Sequence, residues 1–229
     1  MKKQILKKAF KKTLSVLTGY LVLGMGFGIL TTSSGFNGIV AVAMSIFIYA
    51  GSMQFAAVGL LTGGASIITS ALTTLMVNAR HIFYGVSMIQ RYKGMKLKKP
   101  YLIFGLTDET YSLLCHDGDD VPEDQRGAYY LALTLLNHFY WVAGTVLGVL
   151  AGNLLSFNTQ GIDFSLTALF VTIFVDQWLG AKGRIPALIG VGASVLCLLI
   201  FGAERFLIPA MMIIALSLCI YGEGEKNDK

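Results

Sequence analysis

The sequence predicts an all-α polytopic membrane protein, and three observations carry that expectation. Apolar residues make up 55% of the 229-residue chain. They gather into about 6–8 hydrophobic segments, most of them near the roughly 20 residues that cross a hydrocarbon core. The segments are continuous runs, not the alternating ten-residue strands of a barrel, so helices are the expected spanning element.

The runs are Leu14–Ser33, Gly38–Leu61, Ala65–Ile89, Tyr101–Cys115, Tyr129–Leu155, Phe164–Gly180, Ile185–Gly202 and Phe206–Tyr221. No polar stretch between them is long enough for a soluble domain. A single transmembrane domain over 14–221 therefore lies between a basic N-terminal segment, 1–13, and a polar C-terminal tail, 222–229. The first run is too long for a secretory signal and lacks an A-x-A-like site, so it is expected to remain as the first helix. Cys115, Cys197 and Cys219 sit in or beside apolar runs at spacings that suit neither zinc nor a disulfide framework, and read as small buried hydrophobes.

The net charge of +5 is placed for a membrane and not for nucleic acid. Lys2, Lys3, Lys7, Lys8, Lys11 and Lys12 open the chain, and Arg91, Lys93, Lys96, Lys98 and Lys99 fill one loop. Such clusters orient a membrane protein with its basic ends in the cytoplasm and touch anionic lipid. The N-terminus is therefore expected on the cytoplasmic side of a cell membrane.

A weak internal repeat divides the domain into halves 14–115 and 129–221. Ile46-Phe47-Ile48-Tyr49 returns as Ile173-Phe174-Val175-Asp176, and Gly63-Gly64-Ala65-Ser66-Ile67 as Val191-Gly192-Ala193-Ser194-Val195. Gly24 and Gly28 mark a small-residue face in the first half; Gly144, Gly148 and Gly152 mark one in the second, at the spacing that lets helices approach closely.

Charge sharpens the topology. If every run crossed once, the loop from Arg91 to Lys99 would lie outside, against the positive-inside rule. If Gly38–Leu61 is broken and returns to the side it entered from, that loop becomes cytoplasmic. Tyr101–Cys115 then crosses outward, and the acidic stretch Asp117–Asp124 lies outside. The second half starts inverted, and a matching break in Phe164–Gly180 puts Lys182, Arg184 and the tail inside. Ala50-Gly51-Ser52-Met53-Gln54 and Asp176-Gln177 with Gly180 are the expected interruptions. Broken helices at matching points of two inverted halves are the strongest sequence pointer to a transporter binding site.

Ionisable residues inside the apolar runs name the rest of the site. Arg80 lies eleven residues before Arg91, about 16 Å from that interface, and Asp108 nine residues after Lys99, about 14 Å from the same side. Arg80 with Asp108 or Glu109 is the expected mid-depth ion pair, since an unpartnered arginine there costs about 2.5–3.5 kcal/mol or more. His81 and His138 lie at similar depth, in either structural or proton-handling roles. Expected coupling or gating residues are thus Arg80, His81, Asp108, Glu109 and His138. Expected substrate-binding residues are Gly51, Ser52, Gln54, Asn78, Asp176 and Gln177, with Phe47, Met53 and Phe55 as an apolar lining. No triad, phosphate loop or metal-ligand spacing is present, so an enzyme is not expected.

Three stretches carry a family resemblance: Tyr49-Ala50-Gly51-Ser52-Met53-Gln54-Phe55-Ala56-Ala57, Val77-Asn78-Ala79-Arg80-His81-Ile82-Phe83-Tyr84-Gly85 and Thr107-Asp108-Glu109-Thr110. They resemble the AzlC family, the large subunits of bacterial branched-chain amino acid exporters, over nearly the whole chain. The resemblance implies export of leucine, isoleucine, valine and analogues, with methionine as a further family substrate. It implies a small AzlD-type membrane subunit as partner. It also implies no cofactor, the drive being an ion gradient, with protons as the expected ion. Alternating access is the expected mechanism; a channel, or a structural subunit whose partner carries the path, are the alternatives.

Overall fold

The computed structural model describes residues 2–116, 121–154, 184–203 and 206–227, together with 171, 174, 175, 178 and 179. Asp176 and Gln177, and the break expected in Phe164–Gly180, lie outside the described residues. The elements are α1 (Lys2–Ser33), α2 (Gly38–Phe47), α3 (Gly51–Thr62), α4 (Ile67–Asn78), α5 (Arg80–Met88), α6 (Lys99–Phe104), α7 (Asp108–His116), α8 (Glu123–Leu154), α9 (Ile185–Phe201) and α10 (Leu207–Asn227). The basic N-terminal segment is thus the first turns of α1, and α10 carries helix into the polar tail. Among the described residues, Gln4–Ser33 and Glu123–Leu154 are long and apolar enough to cross a membrane.

Those two long helices form the frame, and glycine is the reason. A Cβ on Gly144 would meet the Leu21 carbonyl at 2.7 Å, one on Gly148 the Met25 Cα at 2.7 Å, and one on Gly152 the Ile29 Cα at 3.4 Å. On the facing helix, Gly24 would meet the Trp141 carbonyl at 2.7 Å. Backbone lies against backbone, as small residues at four-residue spacing allow. The contacts advance by four residues along both chains in the same direction, so α1 and α8 run parallel. At their shared N-terminal end Lys8 lies over the Tyr129 ring, 5.6 Å from its centroid.

The run Gly38–Leu61 is broken and turns back. Asn37 caps α2, its side chain accepting from the Ile39 N–H at 2.9 Å. The helix starts beside Val149, reaches Ser45, which bonds Thr145 at 2.8 Å, and stops at Phe47. Tyr49 turns the chain with φ 46°, a left-handed conformation unusual for a bulky residue. Then α3 returns past Phe27, whose ring lies tilted against Phe55 at 5.7 Å between centroids, to Leu30 and Ser34. Both ends of this hairpin lie at the C-terminal end of the frame.

Helices α4 and α5 carry the chain to the basic end with a local irregularity at Ala79, whose N–H reaches the Met76 carbonyl at 3.4 Å in a tighter turn. There Arg91 donates to the Cys115 carbonyl at 3.0 Å.

The run Tyr101–Cys115 does not cross, which corrects the sequence expectation. Helix α6 starts beside Lys98, which packs on Gly127, and ends at Gly105, which packs on Thr134. Thr107 then caps α7, its hydroxyl accepting from the Thr110 N–H at 3.3 Å. Helix α7 returns to Cys115 beside Arg91. The second hairpin enters from the basic end as the first enters from the opposite end. Of the acidic stretch, Asp117, Asp119 and Asp120 lie outside the described residues, and the placement of the last two carboxylates is corrected with it. Glu123 and Asp124 lie at the basic end, in a cleft of about 930 Å³ shared with Arg91, Lys93, Lys96, Lys98 and Arg126. Their attraction to the basic loop, and a helix N-terminus that favours carboxylates, hold them there. Since α8 leaves from that end, α1 and α8 do not stand as inverted partners.

Each hairpin has its own core. Tyr20, Leu23, Phe27, Ala41, Met44, Tyr49, Phe55 and Trp141 pack around the first. Ala9, Met88, Tyr92, Leu102, Leu106, Leu114, Tyr129 and Leu133 pack around the second. The described outer surface is rich in large apolar side chains, Ile67 at 88% and Leu199 at 79% exposed among them, as lipid contact requires.

Candidate functional site

The tips of the two hairpins meet between the cores and enclose a cavity of about 30 Å³, room for a water or two. Its walls are Tyr20 and Leu23 of α1, Tyr49, Ala50, Gly51 and Ser52 of the first tip, Arg80 and His81 of α5, Thr107, Asp108 and Glu109 of the second tip, and Trp141 of α8. Six of the residues expected from the sequence are therefore brought together: Gly51, Ser52, Arg80, His81, Asp108 and Glu109.

Arg80 joins both tips. Its Nη2 donates to the Ser52 hydroxyl, at the start of α3, and lies 3.1 Å from Asp108 Oδ2, at the start of α7. The pair is 24% and 21% exposed, buried enough that loss of either partner is costly. Tyr84 completes the shell of Asp108 with a 2.6 Å hydrogen bond to Oδ1. It follows Arg80 by one helical turn on the same face, a spacing that makes it legible in hindsight. His81 Nδ1 sits 3.1 Å from the Asn78 carbonyl, which only accepts, so that nitrogen carries the proton.

Glu109 is held differently. The Tyr20 hydroxyl donates to Oε2 at 2.6 Å and lies 2.7 Å from the Thr107 hydroxyl. Tyr20 was not singled out by the sequence, because one tyrosine in an apolar run reads equally well as packing. Two half-helices, α3 and α7, start at the cavity and point their N-terminal dipoles into it, an arrangement that favours anions. Asp108 and Glu109 occupy the first turn of α7. Ala50 offers no side-chain cap to α3, whose first N–H groups have no intrahelical partner. The buried Tyr49 hydroxyl beside it has no hydrogen-bond partner among the described residues.

Three expected residues lie off the cavity wall. His138 stacks on Tyr49, ring centroids 4.2 Å apart. Its Nε2 donates to the Ser45 carbonyl at 3.1 Å and its Nδ1 lies 2.8 Å from the Tyr101 hydroxyl, so it ties the first hairpin to the second from behind. Asn78 stands one turn before His81, with its side-chain oxygen buried and without a partner among the described residues. Gln54 is fully buried in a polar chain: Trp141 donates to its carbonyl at 3.0 Å, and its amide donates to Ser45 at 3.0 Å. Met53 and Phe55 pack into the cores and Phe47 faces outward, so the apolar wall is Leu23, Tyr49 and Trp141 instead. Gln54→Leu strands the Trp141 N–H and is expected to cost roughly 1–3 kcal/mol. A fall in the melting temperature of the purified protein checks this.

Comparison with known proteins places the chain among membrane proteins of one family. A family model described as AzlC protein matches residues 15–155. The branched-chain amino acid transport protein AzlC of Bacillus subtilis is 45% identical over 209 residues, 91% of this chain and 82% of that protein. An uncharacterized membrane protein of Haemophilus influenzae is 41% identical over 208 residues, 90% and 84% of the two chains. The inner membrane protein YgaZ of Escherichia coli is 28% identical over 207 residues, 89% and 83%. No solved structure matches. With the family model covering more than half of the chain and the Bacillus protein aligned along most of it, this protein belongs to the AzlC family.

Proposed function

We propose that this protein is a bacterial inner-membrane transporter that exports branched-chain amino acids by ion-coupled alternating access, its basic end in the cytoplasm. The observation that carries the reading is the small cavity at the meeting point of two hairpins that enter from opposite ends. A site this small, lined by the tips of both hairpins, suits a carrier that must part them better than a channel, which needs a continuous path. The name of the Bacillus relative supplies the substrate class.

The cavity has what a zwitterion with an apolar side chain needs. The start of α3 at Gly51 and Ser52, with Arg80 and Tyr49, receives the carboxylate. Asp108 and Glu109 supply negative charge for the ammonium. Leu23, Tyr49 and Trp141 face the side chain. At about 30 Å³ the cavity is smaller than a nine-heavy-atom amino acid, so loading requires one hairpin tip to part from the other. The inverted relation is then carried by different units: α1 with the α2–α3 hairpin, and α4–α5 with the α6–α7 hairpin. A small AzlD-type subunit completes the transporter, against the lipid-facing helices.

Everted membrane vesicles test the reading. Uptake of labelled leucine, isoleucine and valine is expected to exceed the external concentration and to collapse with an uncoupler. Uptake that only equilibrates would favour the channel. Vesicles with and without the small subunit decide whether this chain carries the path.

A further inference from the structure

The cavity holds two adjacent carboxylates, Asp108 and Glu109, and their surroundings divide the work between them. Asp108 faces the Arg80 guanidinium, a permanent cation, and the Tyr84 hydroxyl. Both of its oxygens are thus engaged. Glu109 faces no cation that pairs with it among the described residues; its hydrogen-bond partner is Tyr20. That hydroxyl serves either state of the carboxyl. With Glu109 ionised, Tyr20 donates to it, and the Thr107 hydroxyl donates onward to Thr110 at 3.0 Å. With Glu109 protonated, Glu109 donates to the Tyr20 oxygen and Tyr20 donates to Thr107. The three-group chain satisfies both states without moving a heavy atom.

We propose that Glu109 is the exchange site of the transporter, holding either a proton or the ammonium group of the amino acid but never both. This rests on the amino-acid reading of the cavity. When substrate binds, the carboxylic O–H bond of Glu109 breaks, the proton leaves to water, and the carboxylate accepts the ammonium. When substrate leaves on the far side, a proton returns. An empty, ionised Glu109 would be a partly buried charge held by the neutral Tyr20 hydroxyl, with Arg80 already committed to Asp108, which disfavours reorientation of an empty, deprotonated carrier. One amino acid out is thereby tied to one proton in, with a net positive charge moving inward per cycle.

Among the described residues, the other titratable groups around Glu109 are Tyr20 on α1, Tyr49 at the first tip, Arg80, His81 and Tyr84 on α5, and Asp108 on its own helix. His81 is the one among them that ordinarily titrates near neutrality. It is committed to the Asn78 carbonyl, so His81→Gln separates its contribution to any pH profile.

The test uses the full chain purified in detergent with any subunit that stays bound. L-Leucine, L-valine and L-methionine are added in weakly buffered solution while pH and bound label are recorded. About one proton is expected to be released per leucine bound at mildly acid pH. In Glu109→Gln the affinity falls roughly 10- to 100-fold, as for loss of a charged hydrogen bond, and both the proton release and the pH dependence disappear. Tyr20→Phe removes the donor to the carboxylate, so the pH of half-maximal binding moves up by about one unit. Leucine binding without proton release, Glu109→Gln releasing protons like the parent, or an unmoved midpoint in Tyr20→Phe would each overturn the assignment. If Glu109→Gln binds too weakly to measure, Tyr20→Phe decides. Methionine binding with proton release, and none by leucine or valine, would keep Glu109 and remove the branched-chain reading.

Discussion

Arg80→Ala is expected to lower transport by roughly 100-fold while the protein still reaches the membrane. Arg80 makes one link from α5 to each hairpin tip, to Ser52 and to Asp108. Truncation removes both and leaves Asp108 with Tyr84 alone in a partly buried site. Breaking a buried pair costs about 3–5 kcal/mol, and a value near 3 suits a pair this exposed, which as barrier height is about two powers of ten. Arg80→Lys is expected to rescue in part, because both contacts come from the single nitrogen Nη2, which an ammonium with three donors replaces as far as its shorter stem reaches. Vesicle uptake per tagged protein measures the loss. The double variant Arg80→Ala, Asp108→Asn is expected to regain stability but not transport, since it removes the stranded charge without restoring the clasp. Normal uptake by both Arg80→Ala and Asp108→Asn would sink the assigned role.

Gly148→Leu carries the second large effect, at a distance from the cavity. A Cβ there falls on the backbone of Met25, 2.7 Å from its Cα, and backbone cannot step aside as a side chain can. Overpacking costs about 1–3 kcal/mol against movable neighbours, and more is expected here. The two helices must separate, and with them Tyr20 and Trp141, which face each other across the seam at 5.4 Å between ring centroids and form two cavity walls. Stability and transport are expected to fall together. Gly59→Ala is the control: nothing lies within 4 Å of its Cβ position, and alanine is the better helix former by about 1 kcal/mol. A thermal shift for Gly59→Ala as large as that for Gly148→Leu would show that glycine content, not the seam, sets stability.

Much of this was legible because membranes restrict the grammar. Arg80 in an apolar run needed a partner, and Asp108 or Glu109 at matching depth offered one; Asp108 lies 3.1 Å from it. Gly51 and Ser52 interrupt a run at a spot where the charge pattern required a turn, and the chain turns at Tyr49, just before them. The glycine faces of the first and fifth runs were visible as spacing, and they do face each other.

What the sequence left open shared one property: it depended on which surfaces meet. Gln54 and Ser52 are both polar residues near one break, yet one is tied to Trp141 in the core and the other touches Arg80. A difference of about 100° per residue around a helix decides that, and only packing sets the zero of the angle. Tyr101–Cys115 has enough apolar length to be mistaken for a crossing. The Gly105–Thr107 break and the cap at Thr107 turn it back.

By itself the sequence determined the class, the basic end, the mid-depth ion pair and the glycine seam, because each follows from the cost of placing a charge, a polar backbone or a bulky side chain in lipid. Only the tertiary structure decided that α1 and α8 run parallel, that two hairpins enter from opposite ends, and that Glu109 answers to Tyr20 while Asp108 answers to Arg80. Helix direction and side-chain partnership are relations between segments distant along the chain, and the solvation energy of either segment alone is the same whichever way they are arranged.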